Sequence, residues 1–165
     1  MNFADLLANS SVFVDANTLV YHFQPHPILG PLCTALLKRI ELKEMAGFTS
    51  THVLSEIAHR LMTMEASIMF GWSSKIVDRL KQDPTAVQKL VSFRRAIQQI
   101  SQLGLQVLTI HESLIDTAAG ISQQTGLLSN DALIIAVMQA NGLTNIASND
   151  SDFDRVTGIT CYKPM

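Results

Sequence analysis

Short apolar runs alternate with segments of helical periodicity along this chain, and that alternation restricts the possible folds more than any other feature. The run SVFV at residues 11–14 combines β-branched and aromatic side chains, which is typical of a buried strand. Further strands are predicted at residues 48–49, 105–110 and 145–148, and the last of these is interpreted as the final core strand. Strands separated by helices predict an α/β domain with a central, mainly parallel sheet.

Helices are predicted wherever apolar residues recur every three or four positions. Asp83 and Pro84 are typical of a helix start, and Gly104 is typical of a helix end. Residues 1–165 therefore form one predicted domain, with an extended helical middle region at about residues 62–104. The predicted helices span residues 28–45, 50–66, 84–103, 111–124 and 130–141.

The composition excludes several other classes of protein. A hydrophobic share of 47% is ordinary for a globular domain, and the net charge of −2 argues against nucleic-acid binding by bulk charge alone. Cys33 and Cys161 are isolated, which favours a reduced chain without a thiolate zinc site. No apolar run reaches the roughly 18 residues that cross a bilayer, and the N-terminus lacks the basic region of a signal peptide. We therefore expect a cytoplasmic protein with no membrane partner.

Acidic residues follow strands or open helices at four separate places. Asp15 comes directly after the first strand, and Asp150 and Asp152 come after the last predicted strand. Glu56 lies in the first turns of the helix after the second strand, and Asp131 lies at the start of the last helix. Because ligands of parallel α/β sheets bind outside the carboxyl ends of the strands, we expect Asp15 and Asp150 to meet there.

Each of these acids also has a simpler explanation when it is taken alone. Asp15 is equally well explained as an N-cap, and Asp131 as a favourable charge at a helix N-terminus. Glu56 is compatible with a solvent-facing position at the edge of an apolar stripe. Taken together, four acids at comparable ends of different elements favour a shared site, because carboxylates within about 5 Å raise each other's pKa or recruit a cation.

A site built from carboxylates selects a hard cation. Mg²⁺ and Mn²⁺ suit all-oxygen ligands, whereas zinc does not. Magnesium usually binds a few carboxylates together with phosphate oxygens of a substrate. The predicted chemistry is therefore phosphodiester hydrolysis by a metal-activated water, with cations stabilising charge on the attacking and leaving oxygens.

The acidic residues lie in four longer motifs, which are VDANTLV, SEIAHR, SNDALIIAVMQANGL and IASNDSDFDRV. In this order they resemble the motifs of the PIN-domain nucleases, and the closest branch is the VapC-type toxins of bacterial toxin–antitoxin pairs. The resemblance covers nearly the whole chain, with least support between about residues 62 and 104. It implies a PIN-like three-layer α/β fold, a magnesium (or manganese) site and single-stranded RNA as the substrate. It also implies a small antitoxin partner and a homodimer.

The resemblance assigns a role to each matching residue. Asp15, Glu56, Asp131 and Asp150 match the catalytic carboxylates, and the metal ligands are expected among Asp15, Asp131, Asp150 and Asp152. Asp152 is a possible helper or substitute for Asp150. The expected supporting residues are polar: Asn17, which orients the first aspartate, Asn130, and Ser148, which stands where the family often has Thr.

Other interpretations of the same residues fit less well. A calcium loop starting at Asp150 would need Gly and Glu where Arg155 and Cys161 stand, and a dehalogenase-like phosphatase would need Asp where Asn17 stands. His52, Glu56 and His59 share a helical face but do not form an HExxH motif. Two alternatives stay open, a non-catalytic PIN-like module that binds RNA or protein, and a metal-dependent nuclease or phosphatase with another substrate.

Two further groups of residues lie in or near the middle region. The apolar segment around Met62, Met64, Met69, Phe70 and Trp72 is interpreted as core, with a partner groove as the alternative. The basic residues are interpreted mostly as solvated, with a minority contacting RNA phosphates. They are Lys38, Arg39 and Lys43 on one predicted helix, and Arg60, Lys75, Arg79, Lys81, Arg94 and Arg95 in the middle region.

Overall fold

A single sheet of five parallel strands forms the centre of the molecule. The computed structural model of the chain describes residues 1–24 and 26–165. The strand order is β3-β2-β1-β4-β5, and each neighbouring pair is parallel, which confirms the predicted α/β fold. The strands are β1 Ser11–Val14, β2 Ala46–Ser50, β3 Gln106–Leu108, β4 Asn145–Ala147 and β5 Thr160–Tyr162.

Helices connect these strands and flank the sheet. The connections β1 to β2 and β2 to β3 run in one direction along the sheet, and β3 to β4 runs back past them. Right-handed crossovers therefore place the last two helices on the opposite face from the others. Helix α1 packs on α2 and α3, α3 packs on α6, and α7 packs on α8. The helices are α1 Ala16–Phe23, α2 Leu29–Glu41, α3 Thr51–Phe70, α4 Ile76–Gln82, α5 Pro84–Lys89, α6 Ser92–Ile100, α7 Glu112–Thr125 and α8 Ser129–Ala140.

Strand β1 is the buried centre of the sheet and sets the position of everything around it. Val12, Phe13 and Val14 are fully buried, as expected for an apolar run with sheet neighbours on both sides. Val14 pairs with Ala147 of β4, so the carboxyl ends of β1 and β4 lie side by side. The residues that follow these two strands consequently meet at the carboxyl end of the sheet.

The middle region has a small apolar core of its own. Ala66, Leu80, Ala86 and Leu90 are buried together, apart from the main core around the sheet. The side chains that pack on this second core include Met62, Phe70 and Trp72, so the core interpretation is confirmed for these three. Met64 packs on the main core instead, and Met69 is 48% exposed.

Two predictions about individual elements were wrong. The strand at 145–148 is not the last, because β5 pairs with β4 at the edge of the sheet. The helix predicted over residues 84–103 is two helices, α5 and α6, with a break at Leu90 and Val91. The cause of the break lies far away in sequence, in helix α3.

The buried carboxylate of Glu65, a residue of α3, caps the start of α6. It accepts hydrogen bonds from the backbone N–H groups of Val91, Ser92 and Phe93, at 2.8, 2.9 and 3.0 Å. Burial by itself raises the pKa of Glu65, but the three amide donors together outweigh it and leave the pKa below its usual range. The carboxylate satisfies amides that a continuous helix would have bonded internally, and its charge favours a helix N-terminus.

No helix among residues 1–24 and 26–165 combines the length and apolarity needed to span a bilayer.

Replacing Glu65 tests whether this one side chain attaches α6 to α3. Glu65→Ala leaves three amide donors without acceptors, and we expect it to lower the free energy of unfolding by about 2–3 kcal/mol in urea titrations at pH 7. Glu65→Gln keeps the size and one acceptor oxygen, so it should lose less.

The stability that the Glu65 carboxylate gives to the wild-type protein should also disappear in acid. A carboxylate whose folded pKa is depressed stabilises the fold above its unfolded pKa, and this stabilisation is lost as the pH falls through the folded pKa. The difference between wild type and Glu65→Gln should therefore shrink below about pH 4. An equal difference at pH 7 and pH 3 would contradict the assignment.

Candidate active site

Asp15 is the most constrained residue at the carboxyl edge of the sheet. It follows β1, caps helix α1 and is 6% exposed. Its Oδ1 accepts the N–H of Ala16 at 2.6 Å, and its Oδ2 accepts Asn17 Nδ2 at 2.5 Å and Ser148 Oγ at 2.7 Å. The capping interpretation and the shared-site interpretation are thus compatible, because one oxygen caps the helix and the other faces β4.

Ser148 joins the ends of the two central strands. Its buried hydroxyl donates to Asp15 and accepts Asn17 Nδ2 and the N–H of Asp150, both at 3.0 Å. Asn17 Oδ1 in turn accepts the N–H of Asn149 at 2.9 Å. Asn17 and Ser148 therefore fix both the Asp15 carboxylate and the start of the acidic loop.

The acidic loop after β4 divides its three aspartates between different contacts. Asp150 is half-buried, and its Oδ1 accepts the N–H of Asp152 at 2.8 Å. The Asp152 carboxylate forms an ion pair with Arg155, and Asp154 forms one with Lys163 at 2.5 Å. Asp150 is consequently the loop residue tied directly to the Asp15 network, whereas Asp152 and Asp154 have cationic neighbours.

Glu56 approaches the site from helix α3. Ser50 caps this helix by accepting the N–H of Val53 at 3.3 Å, which fixes where its first turn begins. Glu56 lies one turn further on and pairs with Arg60 at 3.4 Å. The charges of Glu56 and Arg60 both act on Asp15, in opposite directions. The i, i+4 spacing was a visible signal for this ion pair, but sequence reasoning did not use it.

Asp131 approaches from the start of helix α8 and is half-buried. Besides burial, the charges of Asp150, Asp152 and Glu56 raise the pKa of Asp131, and His52 on α3 lowers it. The site therefore receives residues from α1, α3, α8 and the loop after β4. Asn130, expected to support Asp131, is exposed, and no side-chain hydrogen bond to it occurs within the part of the chain that the structure describes.

The electrostatics of the site are set first by burial, with hydrogen bonds and neighbouring charges acting in addition. Burial raises the pKa of Asp15 to about 6, although the hydrogen bonds from Ser148 and Ala16 act in the opposite direction. Burial also raises the pKa of Asp131, followed by the like charges of Asp150, Asp152 and Glu56. A bound cation would relieve both effects, because it favours the ionised form of every carboxylate nearby.

The donor chemistry of the site fits a hard divalent cation. Asp15, Asp131 and Asp150 offer carboxylate oxygens, which Mg²⁺ and Mn²⁺ prefer. Across residues 1–24 and 26–165, no three carboxylate, imidazole or thiol side chains converge closely enough to enclose an ion on their own.

The sequence model of the PIN domain matches residues 12–159, so the chain belongs to the PIN-domain family. Among curated proteins, it is similar to "Ribonuclease VapC2" of Methanocaldococcus jannaschii, with 26% identity over 152 residues and 91% of each chain covered.

Solved structures agree on the fold. The chain superposes on VapC20 of Mycobacterium tuberculosis, described as a sarcin-ricin loop cleaving toxin, with a TM-score of 0.60, 20% identity, and 87% of this chain and 93% of that one covered. It also superposes on the VapBC2 structure from Rickettsia felis bound to promoter DNA, with a TM-score of 0.58, 16% identity, and 93% and 98% covered. At these identities the likeness shows a shared PIN fold.

The raised pKa of Asp15 predicts a specific pH dependence in metal-free protein. The ionised form is disfavoured in the fold, so this residue's contribution is most favourable below pH 3.8 and is lost as the pH rises through about 6. Asp15→Asn removes the ionisation. In urea titrations with EDTA, the free energy of unfolding of the variant should therefore rise by about 3 kcal/mol relative to that of wild type as the pH increases from 4 to 7.

The matched control is Asp116→Asn, which changes an exposed aspartate on α7. The difference in the free energy of unfolding between this variant and wild type should stay nearly constant over the same pH range. A flat difference for Asp15→Asn as well would mean that burial does not perturb Asp15.

Proposed function

We propose that this chain is a Mg²⁺- or Mn²⁺-dependent endoribonuclease, and that it acts as a single PIN domain with helices α4 to α6 as an extension. The observation that carries the proposal is the buried Asp15 carboxylate, fixed by Ser148 and Asn17 at the end of the central strand. The charge of Glu56 on α3 acts on Asp15, Ser148 joins Asp15 to the amide of Asp150, and Asp131 at the start of α8 is affected by the charges of Asp150 and Glu56. A rigid acidic group of this kind is costly to a fold without a ligand, which is typical of functional sites.

Each residue has a definite role in this proposal. Asp15, Asp131 and Asp150 would hold the cation, with Asp152 as a further ligand if it leaves Arg155. Once bound, the cation would supply Lewis acidity and lower the pKa of a bound water. Glu56 would accept or relay the proton of the attacking water, since its charge acts on both Asp15 and Asp131 and Arg60 is its one ion-pair partner among the described residues. Asn17 and Ser148 would keep Asp15 in one orientation.

RNA is the substrate that the comparisons support best. The curated relative that matches most of this chain is named a ribonuclease, and a structural neighbour is described as cleaving the sarcin-ricin loop. The matched region includes all four acidic positions, from Asp15 to Asp150. The same donor set serves phosphodiester hydrolysis in general, so substrate profiling with DNA and phosphate monoesters decides between these classes.

The carboxylates are tested by RNA cleavage with Mn²⁺. We expect Asp15→Asn and Asp131→Asn to lower kcat/KM by about 100-fold or more, because each removes a carboxylate that would hold the cation, and the cation would stabilise the negative charge that develops in the transition state. Asp154→Asn is the matched control from the same acidic loop, and it should stay within about threefold of wild type. Equal rates for wild type and Asp131→Asn would refute the site assignment.

Ser148→Ala tests orientation apart from charge. The variant removes a hydroxyl that contacts Asp15, Asn17 and Asp150, and we expect Mn²⁺ affinity to fall about 10-fold in calorimetric titrations in EDTA-stripped buffer. An unchanged affinity would exclude Ser148 as an orienting residue. If wild type binds Mn²⁺ but cleaves nothing, the chain is a binding module and not a nuclease.

We also propose that the protein is the toxin of a VapBC-type pair, with a small antitoxin as its partner, and that it forms a homodimer. Support for the antitoxin comes from the neighbours, several of which are VapBC or other toxin–antitoxin complexes. The proposal requires wild type to arrest growth when expressed, Asp131→Asn to be harmless, and the product of an adjacent small gene to relieve the arrest. Light scattering of the purified chain measures the dimer directly.

A further inference from the structure

The positive charge of this acidic protein is concentrated in one segment. Residues 75–100, which we call the basic arm, contain α4, α5 and α6 with six basic and two acidic residues, a formal charge of +4. Because the whole chain has a net charge of −2, the remaining residues carry −6. The arm therefore has the opposite sign to the body that holds the carboxylate site.

The cations of the arm differ from the others in how they are used. Outside the arm, five of the six Lys and Arg residues form ion pairs with carboxylates. Within the arm, all six are exposed and none forms an ion pair with a residue that the structure describes. The six are Lys75, Arg79, Lys81, Lys89, Arg94 and Arg95.

A cavity lies where the arm joins the body. It has a volume of about 170 Å³, well below the range of about 300–1,000 Å³ for drug-sized ligands, so it can hold only a small group. Two aromatic rings, two side-chain amides and one guanidinium line it, and these are the groups that stack on bases, read base edges and pair with phosphate. The lining residues include Phe23, Gln24, Leu61, Phe93, Arg95 and Gln99.

The cavity and the carboxylate site share helix α3. Leu61, in the cavity wall, lies five residues beyond Glu56, which is a rise of about 7.5 Å along the helix and a rotation of about 140° around its axis. Arg60 lies between them and faces Glu56. The three hydrogen bonds to Glu65 hold the start of α6, so Arg94 and Arg95 are attached firmly to this helix.

We propose that the basic arm binds the phosphate backbone of single-stranded RNA next to the carboxylate site, with one unpaired base in the cavity beside Arg95. This inference rests on the proposed ribonuclease function and assigns its substrate surface. The cations would offset the repulsion between RNA and the acidic body, and the base in the cavity would fix the position of the strand.

Binding measured without catalysis tests the surface separately from the chemistry. Fluorescence anisotropy of a labelled 12-nucleotide oligouridylate in EDTA, with wild type and with Arg94→Gln/Arg95→Gln, gives the affinity and its salt dependence. Loss of two phosphate contacts should weaken binding about 10-fold at 0.15 M salt and reduce the slope of log K against log salt by about 1.4. Phe93→Leu keeps an apolar side chain but removes the ring, and should weaken binding about fivefold or more.

The control is Lys38→Gln/Lys43→Asn, which removes two exposed cations from the end of α2 and the turn before the amino end of β2. Asn is chosen at position 43 because it tolerates the positive φ of 61° there. The control variant should leave both affinity and slope within about twofold of wild type. Equal losses in the two double variants would overturn the proposal, because they would mean that bulk charge alone matters. So would undetectable RNA binding by wild type.

Two further measurements separate the remaining explanations. Labelled polyglutamate represents an acidic protein partner, and a loss of its binding in Arg94→Gln/Arg95→Gln with RNA binding intact would overturn the RNA assignment. In Mn²⁺-dependent cleavage, the same variant should raise KM with kcat within about twofold. If wild type binds RNA through the arm but cleaves none, the ribonuclease proposal fails and the surface stands.

Discussion

The hydrogen bond from Ser148 to Asp15 joins the carboxyl ends of the two central strands, and the site depends on it. Val14 and Ala147 are paired in the sheet, so the residues after them are neighbours by register. The side chain of Ser148 links the two strand ends, because its hydroxyl forms hydrogen bonds with Asp15, Asn17 and the amide of Asp150. The precision of the site thus derives from the sheet and not from the loops above it.

Charge is arranged in this molecule as two opposed regions. The carboxylate site accumulates negative charge that the fold itself compensates only in part, through Arg60, His52 and Arg155. The basic arm accumulates positive charge that the fold does not pair. A cation for the first and a polyanion for the second would neutralise both, and a metal-dependent nuclease has both ligands in one complex.

The sequence was sufficient for the features that depend on local pattern. An apolar run followed by Asp15, and an acid at the start of a helix in the case of Asp131, could be recognised because strand ends and helix starts have local signals. The order of the acids along the chain was enough to indicate the family. Asp15, Glu56 and Asp131 lie at the predicted strand end and helix starts, whereas Asp150 follows a strand that is not the last, and the catalytic roles of all four stay predictions.

The features that were missed depend on contacts between distant residues. Strand β5 has three residues, too few to show a period, and it exists because β4 offers an open edge. The break between α5 and α6 is caused by Glu65, which is 26 residues away from Val91. The second core also depends on distant contacts, since Phe70, Trp72, Ile76 and Leu80 face a small cluster that includes Ala86 and Leu90.

That second core has a consequence for how such a protein can diversify. Ala66, Leu80, Ala86 and Leu90 pack with one another rather than with the sheet, and Phe93 is the apolar side chain that contacts both cores. Helices α4 and α5 can therefore vary in length, sequence and surface without disturbing the strand packing that holds Asp15. Changes in α4 and α5 would then stay within the second core, with Glu65 and Phe93 as the fixed points between it and the main core.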